Sequence, residues 1–249
     1  MSAFLLSFVA PVLALRVCET SRFVESLPSA QATEMPVDTV PVAIVSVGEC
    51  GSQEWMADLR VAEAGDVVAT ATLVEGLLEL DPGASLSPDT DYLVGVEPTD
   101  GEGELTEIGF RTGTGLAATL DGIPILTDAG ARWFAETEIL VAGGTVAPAT
   151  SEDGASVLAL YVEGEGEPLL AGIAESASVG LSGKRVVPEP DAEICLVARQ
   201  RDYAGRWVES EPSCGEPEIV GEACGCAARV AVLGWVPIWV AALLARRRA

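Results

Sequence analysis

Leu80-Asp81-Pro82-Gly83, followed by Leu86-Ser87-Pro88-Asp89-Thr90-Asp91-Tyr92 and then Leu93-Val94-Gly95-Val96, is the stretch on which the fold turns. Pro, Gly and Asp here supply turn chemistry, and an apolar run starts directly at Tyr92. A Tyr at the start of a strand can fold its hydroxyl back onto the connecting backbone and fix the corner. The segment therefore reads as a structured corner entering a strand.

Outward from this corner the same grammar repeats. Val40–Val47, Ala57–Ala62, Val67–Val74, Leu77–Leu80, Tyr92–Val96 and Leu105–Arg111 are short runs with strand character. Glu63-Ala64-Gly65-Asp66, Asp81-Pro82-Gly83 and Asp100-Gly101-Glu102-Gly103 punctuate them. No stretch between Pro36 and Thr112 holds a helical period for long, so the pattern predicts a β-sandwich over 36–115. Leu80-Asp81-Pro82, the Leu86–Tyr92 corner and Phe110-Arg111-Thr112-Gly113 resemble the bacterial Ig-like domain of S-layer proteins. That resemblance implies an Ig-like sandwich whose corner leads into the penultimate strand and whose Phe-x-Thr-Gly closes the last.

A linker is expected over 116–128, and residues 15–35 read as a polar leader segment. A second module is expected over 129–216, with strands at Glu138–Ala142, Ala155–Tyr161, Leu169–Ala174, Ala177–Leu181, Glu193–Arg199 and Arg206–Glu209. Glu193-Ile194-Cys195, Asp202-Tyr203-Ala204-Gly205 and Ser213-Cys214 resemble fibronectin type III-like modules of secreted bacterial proteins. The two modules do not align, so the fold class is all-β with two tandem Ig-like/fibronectin III-like sandwiches rather than a sequence repeat.

The ends carry addresses. Ala3–Leu15 is an apolar run of signal-peptide length with small residues before a cleavage point after Ala14; a buried N-terminal strand is the alternative. Val230–Ala245 is apolar and predicts one transmembrane helix, with Arg246, Arg247 and Arg248 on the cytoplasmic side. Cys224-Gly225-Cys226, the apolar segment and the Arg triplet, in that order within 217–249, resemble the MYXO-CTERM sorting signal. The resemblance implies a C-terminal processing protease, Cys224 or Cys226 as a processing and lipid-attachment site, and delivery to the bacterial outer membrane surface. Of the six cysteines, the other four are expected to pair by proximity within each module, Cys18 with Cys50 and Cys195 with Cys214. Disulfides imply an oxidising, extracytoplasmic compartment.

Charge and composition narrow the chemistry. The net charge is −24, all 38 acidic residues lie between Glu19 and Glu222, and His is absent. Such a body repels nucleic acid and anionic lipid. Without His the usual nucleophilic triad cannot form, and no zinc spacing is present. Two acidic Gly-rich loops, Asp100/Glu102/Glu104 and Glu163/Glu165/Glu167, are candidate calcium ligands, with hairpin tips as the plainer reading. Trp55, Trp133 and Trp207 are candidates for a binding face or for core. The expectation is a non-catalytic cell-surface spacer, adhesion or envelope-interaction protein. Partners would be the membrane, envelope proteins or polysaccharide. The alternatives are a calcium-stabilised ligand-binding module and a secreted hydrolase built on unmarked carboxylates.

Overall fold

The computed structural model describes residues 22–46, 54–73, 76–99 and 104–221. Among these the secondary structure is strand throughout, with no helix. No helix among them is long and apolar enough to cross a membrane. The expected signal peptide with Ala14, the segment 230–245, Cys18, Cys50, Cys224, Cys226 and Arg246–Arg248 lie outside the described residues.

The first sandwich pairs β1 (Arg22–Leu27), β3 (Val42–Ser46) and β6 (Gly76–Glu79) in the order β1-β3-β6. Opposite them lie β2 (Ala32–Met35), β8 (Thr106–Thr112), β7 (Asp91–Pro98), β4 (Trp55–Val61) and β5 (Val67–Leu73), in the order β2-β8-β7-β4-β5. All pairings are antiparallel except β2 with β8. The segment expected as a leader thus contributes β1 and β2, one stretch that switches sheets. Both are edge strands, and β1 buries only Ser26 and Leu27. A half-exposed edge strand carries little apolar alternation, so its sequence reads as polar coil.

The corner forms as its chemistry requires. The Ser87 backbone N–H donates to the Tyr92 hydroxyl at 2.9 Å, and Tyr92 stacks on Phe110 with centroids 5.6 Å apart. Thr112 closes the same corner: its Oγ1 donates to the Ser87 carbonyl at 2.6 Å and accepts from the Thr90 N–H at 3.0 Å. Removing only the phenolic oxygen (Tyr92→Phe) orphans the Ser87 N–H and is expected to cost about 1 kcal/mol in urea unfolding.

The second sandwich repeats the strand order of the first. β9 (Ile125–Phe134), β10 (Ile139–Ala147) and β13 (Val179–Val186) form one sheet, extended by β17 (Glu218–Val220) parallel to β9. β11 (Ser156–Val162), β12 (Leu170–Ala174), β14 (Ile194–Arg201), β15 (Trp207–Glu209) and β16 (Ser213–Gly215) form the other. The expected linker ends early, because β9 already begins at Ile125. Thr127 and Asp128, expected in the linker, lie inside the strand. Asp128 has φ 52°, and the β9–β10 register shifts between Gly143 and Thr145. That is a β-bulge, where turn-type residues sit within a ladder. Gly144 belongs to the same irregularity; a Cβ there would meet Leu126 Cδ1 at 2.7 Å.

The two sandwiches stack face to face. Val42, Ala43, Ile44 and Val45 on β3 are all buried, as are Ser156 through Tyr161 on β11. A strand buried on consecutive residues must be covered on both faces. On β11 the residues divide: Leu158 and Leu160 enter the second sandwich's core with Leu140, Val146 and Leu196. Val157, Ala159 and Tyr161 instead join the first sandwich's core with Val42 and Ile44. Four sheets are therefore layered, and the β1-β3-β6 sheet is an inner layer.

Candidate functional site at the junction of the sandwiches

The junction is organised by Arg201 at the end of β14. Its side chain is fully buried, and Nη1 donates to the Val40 carbonyl at 3.0 Å. Glu79 Oε1 on β6 lies 3.2 Å from Arg201 Nε as an ion pair, but without hydrogen-bond alignment, so Nε and Nη2 have no acceptor. Burial lowers the Arg201 pKa, and Glu79, Asp202 and Asp81 pull it back up. Guanidinium stays protonated across any working pH. Around it, the Val40 N–H donates to the Tyr203 carbonyl at 2.7 Å, and the Ile173 N–H donates to Glu25 Oε1 at 2.7 Å. The second contact caps a donor on edge strand β12 with a carboxylate from the other sandwich.

The connecting segment is tied to both bodies. The Ala117 N–H donates to Asp38 Oδ1 at 2.6 Å and the Ala118 N–H to Asp153 Oδ2 at 2.8 Å. Arg206 Nη2 donates to the Ala117 and Ala118 carbonyls at 3.0 Å, while its Nε is held by buried Asp202 Oδ2 at 2.6 Å. Beside this segment, burial pushes the Tyr203 phenol up to about 12, with Asp153 and Glu175 adding to the shift. The unfolded phenol ionises near its ordinary 10.0, so the native state holds its proton longer. This contribution is fully present below pH 10 and is lost as pH rises through about 12, a loss on the order of 2–3 kcal/mol. Urea unfolding across that window, paired with tyrosinate absorbance, should show the decline, and Tyr203→Phe should flatten it.

At one flank of the junction the layers part. A groove of about 490 Å³ is lined by Leu77 and Glu79 of β6 and by Tyr161, Arg199, Trp207 and Glu209 of the second sandwich, with the loop Gly166–Pro168 at its end. The Arg199 guanidinium lies over the Tyr161 ring, 4.2 Å from its centroid, and its Nε donates to Glu209 Oε2 at 2.7 Å. Burial raises the Tyr161 pKa, and the Arg199 charge opposes that. Glu79, Glu167 and Glu209 are all exposed, and Trp207 is half-buried. The strand register explains the gathering: Arg199 faces Glu209, and Arg201 faces Trp207 across β14 and β15.

The sequence-expected residues are scattered. Trp55 is buried in the first core, Trp133 donates its Nε1–H to the Val187 carbonyl at 2.8 Å, and only Trp207 reaches the groove. The three tryptophans do not share a face. Glu104 is exposed, and Asp100 and Glu102 lie outside the described residues. Glu165 is paired with Arg185, whose Nη2 also donates to the Glu167 carbonyl at 3.0 Å. Among the described residues, Glu163 gathers instead with Cys195 and Cys214. Those sulfurs are bonded to each other as expected, on directly opposed positions of β14 and β16. The bond closes a loop of sequence separation 19, so the double variant Cys195→Ser/Cys214→Ser should lose about 3 kcal/mol in a urea melt.

Arg199, Arg201, Tyr161, Glu79 and Glu209 were not singled out by sequence. The available signal is Arg199 and Arg201 two apart on one apolar strand, answered by Trp207 and Glu209 two apart on the next.

Together the strand orders make the described residues an all-β pair of Ig/fibronectin III-like sandwiches. No protein-family model and no curated protein sequence matches it. Similar solved structures include the BSP domain of a biofilm associated protein, at 18% identity and TM-score 0.27. That match covers 80% of this chain and 30% of that one, so the chain spans under a third of its length. Fibronectin(III)-like modules of Clostridium thermocellum CbhA align at 11% identity and TM-score 0.27 over 84% of this chain and 100% of that one. The chicken CNTN1 FN1-FN3 domains align at 12% and TM-score 0.25 over 76% and 68%. These are likenesses of fold alone.

Proposed function

We propose that this is a non-catalytic, exported protein of the bacterial cell surface, displaying a rigid two-sandwich block that contacts envelope or extracellular partners. The observation that carries the reading is the face-to-face stack, in which one core runs across both modules and a buried Arg201 pins them. A joint closed by shared core transmits position and force as one body, which suits a spacer or adhesion module. The Cys195–Cys214 bond fits an oxidising compartment. A hydrolase reading needs one carboxyl held protonated in an apolar site. The groove carboxylates Glu79, Glu167 and Glu209 are instead solvent-exposed.

On this proposal the C-terminal tail resembling MYXO-CTERM is processed, and Cys224 or Cys226 becomes the attachment point at the outer membrane. The test places an epitope in the exposed turn at Glu63-Ala64-Gly65, in wild type and in Cys224→Ala/Cys226→Ala. Cells of a host with the processing enzyme are fractionated and shaved with protease, and the intact mass is taken. Loss of residues 230–249, a lipid-sized mass increment and surface shaving, all abolished in the variant, are expected. An uncut tail in the inner membrane for both forms would overturn the surface assignment.

A further inference from the structure

We propose that the inter-sandwich groove binds a neutral oligosaccharide. This rests on the reading of the block as a surface-contact module and names the ligand class of that contact. The groove floor is a sheet face: Tyr161, Arg199, Trp207 and Glu209 project from β11, β14 and β15 on the side toward the first sandwich. Recognition there runs through side chains rather than through strand addition.

The side chains offer matched polarities. Glu79, Glu167 and Glu209 can only accept hydrogen bonds, and Arg199 can only donate. A sugar hydroxyl does both, so adjacent hydroxyls on one ring can satisfy a carboxylate and a guanidinium side by side. Trp207, Leu77, Val208 and Pro168 supply apolar surface for the C–H face of a pyranose. The volume, about 490 Å³, is that of a ligand site.

Charge selects among polar ligands. Of the three lining carboxylates Glu209 is paired with Arg199 and Glu79 with buried Arg201, which leaves the Glu167 charge over, on a chain of net charge −24, so an acidic polysaccharide is repelled. The groove is also preorganised. The loop that ends it is held by the Glu165–Arg185 pair, by Arg185 on the Glu167 carbonyl, and by the Glu163 N–H on the Cys195 carbonyl at 2.9 Å. Preorganisation lowers the ordering cost that otherwise cancels weak polar contacts.

The test is calorimetric titration of the full chain in mild detergent with neutral oligosaccharides of glucose, mannose, xylose and N-acetylglucosamine, against a sulfated oligosaccharide and an extended-peptide library. At least one neutral oligosaccharide is expected to bind, and the sulfated one is not. Trp207→Ala and Glu167→Ala should each weaken binding by about tenfold or more, with Trp133→Phe unchanged. Glu167 sits on an exposed loop, so its variant keeps the test alive if Trp207→Ala fails to fold. Absence of neutral-sugar binding, equal binding by both groove variants, or binding of peptide alone would overturn the proposal. Binding in vitro is independent of tail processing, so an unsorted protein with an intact sugar site sinks only the surface assignment.

Discussion

Arg201→Ala is expected to lower the stability of the chain by about 4 kcal/mol, and to split one unfolding transition into two. The side chain is fully buried, and its removal opens a void between β14 and β6 while leaving the Val40 carbonyl without its donor. Glu79 is a lesser loss, because its side chain is 42% exposed and water can replace the arginine. The wild-type arrangement is itself costly, since Nε and Nη2 are desolvated without acceptors. Arg201→Met separates the terms. It restores the aliphatic stem and abandons the charge, so it should recover a substantial part of the loss. Calorimetry on wild type, Arg201→Ala and Arg201→Met reads both effects. A single transition in Arg201→Ala with a loss below about 1 kcal/mol would show that the shared core alone holds the sandwiches together.

The layered arrangement was partly written in the sequence. Val42-Ala43-Ile44-Val45 and Val157-Leu158-Ala159-Leu160-Tyr161 lack the alternation of a strand with one wet face, and both proved buried on two faces. Alternation located β4 and β7 because each sets one face on a core. The strands that escaped are those whose local chemistry points elsewhere. β1 and β2 lie at sheet edges and bury only three residues between them, and β9 carries a bulge at Asp128, a residue of turn chemistry. The tyrosine corner and the Cys195–Cys214 bond were legible for the opposite reason: each is made by residues close in sequence with few geometric solutions. The groove was not legible. Arg201 meets Val40 across a separation of 161 residues, and Glu79 reaches Arg201 only because two modules stack. Periodicity assigns residues to a face of one sheet; it does not say which other sheet covers that face.

Gln200→Leu is expected to cost about 4 kcal/mol while barely changing core volume. Gln200 is fully buried and makes with its side chain the bonds a neighbouring strand would make with its backbone. Its Oε1 accepts from the Ala149 N–H at 2.6 Å, and its Nε2 donates to the Ala149 carbonyl at 3.0 Å and to Ser156 Oγ at 2.9 Å. Ala149 lies just past the end of β10, where the ladder has run out, and it is itself buried. The amide thus closes the end of the second sandwich next to the Asp121–Thr150 bridge. Leucine matches the glutamine in size but satisfies nothing, so two buried backbone groups are orphaned at about 1–3 kcal/mol each. Gln200→Glu is the sharper companion. One carboxylate oxygen can still accept from Ala149, but an ionised side chain cannot donate to the Ala149 carbonyl and carries a buried charge. Its protonated form can donate. Gln200→Glu should therefore be at least as damaging as leucine at neutral pH and recover relative to it as pH falls, because burial raises the folded carboxyl's pKa above its unfolded value. Urea unfolding of the three proteins at neutral and mildly acidic pH gives the comparison. If Gln200→Leu matched wild type, the β10 end would be held by packing, and the amide would be incidental to the closure.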